Sequence, residues 1–105
     1  MTTRPATTAE LRGHAALLGR LHAAGLATPL QAGTLIALAL RTAPANMTTI
    51  AADMGCTAPG ITGVADMLED RGLARRSYLP GDRRQIMLEI TAEGRALLAG
   101  DSTNP

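Results

Sequence analysis

Arg83 and Arg84 stand side by side just after a Pro80-Gly81-Asp82 run, and Arg75 and Arg76 stand side by side just before it. With Arg71 they bring five guanidinium groups into one short stretch of a chain whose ten basic residues are all arginine. A guanidinium is a permanent cation with a fixed fork of donors, suited to phosphates, carboxylates and the negative potential of a narrow DNA minor groove. Asp66, Glu69, Asp70, Asp82 and Glu89 lie among these arginines, and the formal net charge is only +1. Composition therefore leaves nucleic-acid binding open. It turns on whether the two signs separate in space.

A second constellation precedes the arginines. Thr57 reads as a helix cap, with Pro59 in the first turn and Gly72 as the stop. Ile61, Val64, Ala65 and Leu68 fall on one face of that helix, which leaves Ala58, Pro59, Thr62, Gly63 and Asp66 on the other. The outward set holds no Arg, Asn or Gln for bidentate contact with a base, so direct readout by this face is thin and recognition of DNA shape must carry more. Thr62 offers a hydroxyl and a methyl, and Ala58 and Pro59 offer apolar contact. Gly60 and Gly63 each cost a helix about 1 kcal/mol relative to Ala. They repay it if the backbone must come close to a groove floor, and otherwise merely reflect a glycine-rich composition.

Thr48, Thr49 and Thr57 stand at expected helix starts, where hydroxyls, amides and the positive dipole end suit phosphates; they also suit plain capping. In a hairpin tip, Arg83 and Arg84 reach phosphates or the minor groove, with Asp82 orienting one of them. Arg75 and Arg76 occupy adjacent strand positions and so point to opposite faces, one free for a phosphate and one structural. Arg71 is expected to pair with a neighbouring acid.

The elements that must hold these groups are mostly helical. Residues 1–8 read as a flexible tail and 9–100 as one winged helix-turn-helix domain, mainly α with a small β-hairpin wing. A helix at 9–25 carries Leu11, Leu17, Leu18 and Leu21 on more than one face, and a partner chain is the natural cover for such a helix. Thr28-Pro29 opens a helix to about Arg41, with Leu30, Leu35, Ile36 and Leu38 inward. A short helix capped by Thr48 or Thr49 runs to Met54. Only a tight glycine turn separates it from the helix after Thr57, the spacing of a helix-turn-helix. Strand Arg75–Leu79, the Pro80-Gly81 turn and a strand with Ile86, Leu88 and Ile90 inward supply the wing, completing a DNA-binding unit over 28–91. Thr91 caps a last helix, 91–100.

Other chemistry is poorly supplied. His14 and His22 are eight residues apart, too far for an i,i+4 metal pair, and no cysteine or carboxylate completes a site. Cys56 has no nearby Lys or His in sequence to activate it and reads as a small buried residue. No nucleophile–base pair or phosphate-binding glycine loop stands out, so the chain reads as a non-enzyme without cofactor or metal. A single cysteine, no secretory signal and no apolar run long enough for a bilayer point to the cytoplasm.

Over roughly Leu26 to Leu98 the chain resembles the MarR family of winged-helix transcriptional regulators. The resemblance rests on Thr28-Pro29-Leu30-Gln31 with Leu35 and Leu38, and on Thr57-Ala58-Pro59-Gly60-Ile61-Thr62-Gly63-Val64. It rests further on Met67 to Arg76, and on Asp82-Arg83-Arg84 followed by Leu88 and Ile90-Thr91-Ala92-Glu93-Gly94. It implies a homodimer on a palindromic operator in double-stranded DNA, commonly a repressor, with a small-molecule effector left open. Two further C-terminal helices usual in the family have no counterpart after Leu98. That puts the dimer's weight on the first helix and takes away the usual ligand pocket. The competing reading is a winged helix that docks on protein, favoured by the near-neutral charge and separated from a DNA binder by the response to Arg83→Ala with Arg84→Ala.

Overall fold

The computed structural model describes residues 5–100; the rest of the expected 1–8 tail and residues 101–105 lie outside the described residues. Helix α1, Thr8–Ala23, starts at Thr7, whose hydroxyl accepts from the Glu10 amide while the Glu10 carboxylate accepts from the Thr7 amide. This reciprocal cap draws the end of the expected tail into the helix. Helix α2, Pro29–Ala39, is capped in the same way by Thr28 and Gln31 with Pro29 in its first turn. Leu35 and Leu38 are buried, Leu30 and Ile36 partly so. The Thr34 hydroxyl, also buried, donates to the Leu30 carbonyl at 2.6 Å.

Strand β1, Ala45–Asn46, leads directly into helix α3, Met47–Met54. Gly55, in the left-handed region at φ 67°, ends that helix and opens the turn to α4, Ala58–Asp70. Strands β2, Ala74–Leu79, and β3, Asp82–Ile90, form the hairpin, and α5, Ala92–Ala99, closes the described chain. The sheet is antiparallel in the order β1-β3-β2, with Ala45 opposite Leu88. One core joins every layer: Leu21 and Leu26, Leu35 and Leu38, Ile50, Ile61 and Leu68, then Leu88 and Ile90 from the sheet.

Thr91 and Gly94 explain the join between sheet and α5. The Thr91 hydroxyl donates to the Gly72 carbonyl at 2.6 Å and accepts from the Gly94 amide at 3.1 Å. A Cβ on Gly94 would lie 2.4 Å from the Leu73 carbonyl oxygen, so only glycine fits there.

Several expectations need correction. The cap of α3 is Asn46, whose side-chain oxygen accepts from the Thr49 amide at 2.8 Å; Thr48 and Thr49 lie inside the helix. The sheet has a third strand, β1. Ile86 is 39% exposed despite its in-phase position, because it lies on the hairpin side of β3, before the strand reaches the core at Leu88, and is paired with the exposed Tyr78. Leu21 is fully buried in its own chain's core and has no surface left for a partner, whereas Leu11 and Leu18 are each 56% exposed and Leu17 is partly buried against the core.

Candidate nucleic-acid interface

Helix α4 is amphipathic as its spacing requires. Ile61, Val64, Ala65 and Leu68 anchor it in the core, and Pro59, Gly60, Thr62, Gly63 and Asp66 face solvent, with Ala58 half-buried. Thr57 occupies the N-cap position, but its hydroxyl makes no cap hydrogen bond, contrary to the expected role. The Thr62 hydroxyl donates back to the Ala58 carbonyl at 3.1 Å, which leaves its oxygen and methyl outward. A Cβ on Gly63 would meet nothing within 4 Å, and one on Gly60 would make ordinary contacts with the Thr57 and Cys56 side chains at 3.6 and 3.9 Å. Neither glycine is demanded by the packing of its own chain, although each weakens the helix by about 1 kcal/mol.

Three elements hold α4 in place. Arg41 at the end of α2 grips Asp53 of α3 through Nε at 3.0 Å and Nη2 at 2.6 Å, fixing the helix before the turn. Cys56, partly buried in that turn, donates its thiol hydrogen to the Thr57 carbonyl at 3.5 Å. Arg71, expected to pair with an acid, instead donates to the Ala24 carbonyl at the end of α1, and its guanidinium covers Gly25. Of the acids nearby in sequence, Glu69 is drawn to Arg76 instead.

Arg76 is the most constrained of the arginines among the described residues. From β2 it donates to Asp66 at 2.5 Å and Glu69 at 2.7 Å, while its backbone amide donates to Glu69 at 3.3 Å and Nη2 reaches the Thr62 carbonyl at 3.5 Å. Its side chain is only 24% exposed. The Asp66 hydrogen bond raises the Arg76 pKa above its ordinary value; burial opposes this, and Glu69 adds to it. Its charge is permanent and already matched. Of the adjacent pair, Arg76 is thus the one committed to its own chain. Arg75 points away on the other sheet face, largely exposed, with Nε 2.8 Å from Glu89 across the pair.

The wing tip has the opposite character. Pro80 and Gly81 make the turn, with Gly81 at φ 85°, and Leu79 pairs with Asp82. The register then shifts: the next pair is Tyr78 with Ile86, so Arg83, Arg84 and Gln85 project from β3 without partners on β2. Asp82 accepts from the Arg84 amide at 3.0 Å and from its Nε at 3.4 Å, and the Arg84 side chain is still 93% exposed. Arg83 is exposed as well.

Sequence reasoning missed Asn46. Besides capping α3, it donates to the Gln85 side chain at 3.5 Å and so links the helix-turn-helix to the wing. It also missed the Asp66–Glu69–Arg76 cluster, which the i,i+3 spacing of the acids on one helix face could have signalled. Thr48 is exposed and Thr49 partly so. His14 and His22 are both exposed on α1.

The MarR family model matches residues 31–86, from α2 to the wing. The fold is that of solved winged-helix regulators. The transcriptional repressor CouR, bound to a 23-mer DNA duplex, is 37% identical with TM-score 0.69, over 88% of this chain and 63% of CouR. A MarR-family regulator from Rhodococcus sp. RHA1 is 31% identical with TM-score 0.68, over 86% of this chain and 65% of that one. A mutant of S. aureus MepR bound to an oligodeoxyribonucleotide shares the fold at TM-score 0.73 and 21% identity, over 94% of this chain and 76% of its own. The chain thus spans somewhat under two thirds of CouR's length. No curated protein matches it by sequence. With more than half its length matched by the family model and its fold shared, this chain belongs to the MarR family.

Proposed function

We propose that this chain is a double-stranded-DNA-binding transcriptional regulator, a repressor that acts as a homodimer on an inverted repeat by occluding a promoter. The observation that carries this reading is an exposed, charge-poor face of α4 beside a hairpin whose arginines project from an irregular register. Arg76 ties the hairpin root to the flank of α4 that bears Thr62 and Asp66, so helix and wing form one unit. Helix α4 enters the major groove, with Pro59, Thr62 and Gly63 toward the bases. Arg83 and Arg84 lie in the minor groove or on phosphates, and Arg75, Thr48, Thr49 and Thr57 meet the backbone. The DNA in the CouR structure supports the partner, and membership of a family of transcriptional regulators supports a non-enzymatic, cytoplasmic role.

The dimer rests on α1. Every residue from Thr8 to Ala16 is exposed, Leu11 among them, and Leu18 opens the same helix about two turns beyond Leu11. In a homodimer on an inverted repeat the two α4 helices lie about one or two DNA turns apart, roughly 34–36 Å for one turn. Selection of bound duplexes from a random pool tests the reading: an inverted repeat is expected, and failure to enrich any duplex overturns it. Sedimentation tests the dimer. Leu18→Glu is expected to give monomers with a nearly unchanged fold, whereas Leu21→Ala loses about 2–5 kcal/mol of stability from the core.

A further inference from the structure

We propose that Arg76 is a positioning residue for DNA reading: through Asp66 and Glu69 it locks the azimuth of α4 to the wing without touching DNA itself. The inference rests on α4 being the groove-reading helix. Arg76 belongs to the strand that leads to the wing tip, and its guanidinium ends on side chains of α4 and on the Thr62 carbonyl, at the outward face. The Glu69 carboxylate also accepts from the Arg76 backbone amide, so the helix is tied to the strand's main chain as well as to a side chain. A planar fork held by two carboxylates resists rotation in a way that a single contact does not.

The buried face of α4 offers Ile61, Val64, Ala65 and Leu68, all aliphatic groups that bring no directional hydrogen bond to the core. The outward face carries glycine and short side chains, so a base contact depends on backbone position and not on the reach of a long flexible residue. A reader of this kind needs its helix held from outside the core.

The same cluster settles an electrostatic conflict. Asp66 is 61% exposed on a helix meant to approach phosphates, and Glu69 lies one turn further on. Arg76 offsets one of the two carboxylate charges, and in doing so turns its terminal nitrogens toward its own chain instead of a phosphate.

The two possible roles of the cluster predict opposite signs, which makes the test sharp. Binding is measured for the duplex selected from the random pool and for a scrambled duplex of the same composition, with thermal midpoints in parallel. Removing a negative charge by Asp66→Asn favours DNA binding on electrostatics alone. The positioning role predicts the reverse: Asp66→Asn weakens the selected duplex about tenfold and leaves the scrambled one unchanged or slightly tighter. Arg76→Met is expected to lose the same preference with no change in salt slope, Arg76→Lys to recover part of it, and the double variant to be no worse than either single one. Asp66→Asn that leaves the preference intact overturns the proposal, as does Arg76→Met that weakens both duplexes alike and lowers the salt slope by about one. A Gly63→Leu control separates the layers. If it shifts the selected sequence while Asp66→Asn does not, positioning alone fails; if it shifts nothing, the reading of α4 fails and the proposal falls with it.

Discussion

At the wing tip, Arg83 and Arg84 stand in solvent on residues that β2 does not pair, with Asp82 the one carboxylate beside them. Along the outward face of α4, Pro59, Gly60, Thr62 and Gly63 bring no charge at all, and the acids on its flank, Asp66 and Glu69, share Arg76. Within the proposed function, these neighbours divide the work of binding between them. Long-range attraction and most of the salt dependence belong to the tip, where the cations are exposed and outnumber the acid. Sequence preference belongs to the helix, where the backbone approaches closely and charge is kept out of the way. The division also explains how a chain of net charge +1 could hold DNA, because carboxylates match or outnumber the arginines at the hairpin root, and two arginines face one carboxylate at its end.

The largest effect is therefore expected at the tip. Arg83→Ala with Arg84→Ala should weaken selected and scrambled duplexes together, by about tenfold or more, and flatten the salt dependence by roughly one to two in log–log slope. Both side chains are exposed, so the stability of the fold should stay within about 0.5 kcal/mol. A double variant that loses only the selected duplex would put the sequence reading in the wing and dissolve the division.

A smaller effect of the opposite kind is expected on the helix. Gly63→Ala adds a methyl into open space and improves helix propensity, so unfolding should require about 1 kcal/mol more. The same methyl lies on the face toward the bases. Affinity for the selected duplex should fall about five- to tenfold with an unchanged salt slope. A protein made more stable and a poorer binder by one methyl is the signature of a glycine kept for approach. If binding holds, the glycine is compositional and α4 stands further from the bases than the comparison requires.

The parts of this arrangement that were legible in the sequence are those with local causes. Thr28-Pro29 and Thr91 are hydroxyl caps read from residue type, and Pro80-Gly81 and Gly55 mark turns for conformational reasons that do not depend on distant neighbours. The buried stripe of α4 follows from period alone. What stayed hidden depends on partners far along the chain. Two residues, Ala45 and Asn46, have no period, and they become a strand only because Leu88 and Met87 lie opposite. Arg71 has acids beside it in sequence, yet it turns to the Ala24 carbonyl at the end of α1, 47 residues away along the chain. Leu21 shares its stripe with Leu11 and Leu18, and only the packing of α1 on α2 and α5 sends it inward while they stay outside.

Thr57 and Asn46 carry the comparison to its smallest scale, since both are N-caps by position and only one is a cap by hydrogen bond. Asn46→Ala removes the acceptor for the Thr49 amide and the link to Gln85, and should cost about 1 kcal/mol of stability. Thr57→Ala removes no such bond, so its thermal cost should be a few tenths of a kcal/mol. The Thr57 hydroxyl sits at the positive end of α4, where a phosphate would find it along with the unpaired amides of the first turn. Its loss should weaken both duplexes by about two- to fivefold. A large thermal cost would mean that the hydroxyl does cap in solution. An unchanged affinity would remove Thr57 from the interface and leave the start of α4 held by its amides alone.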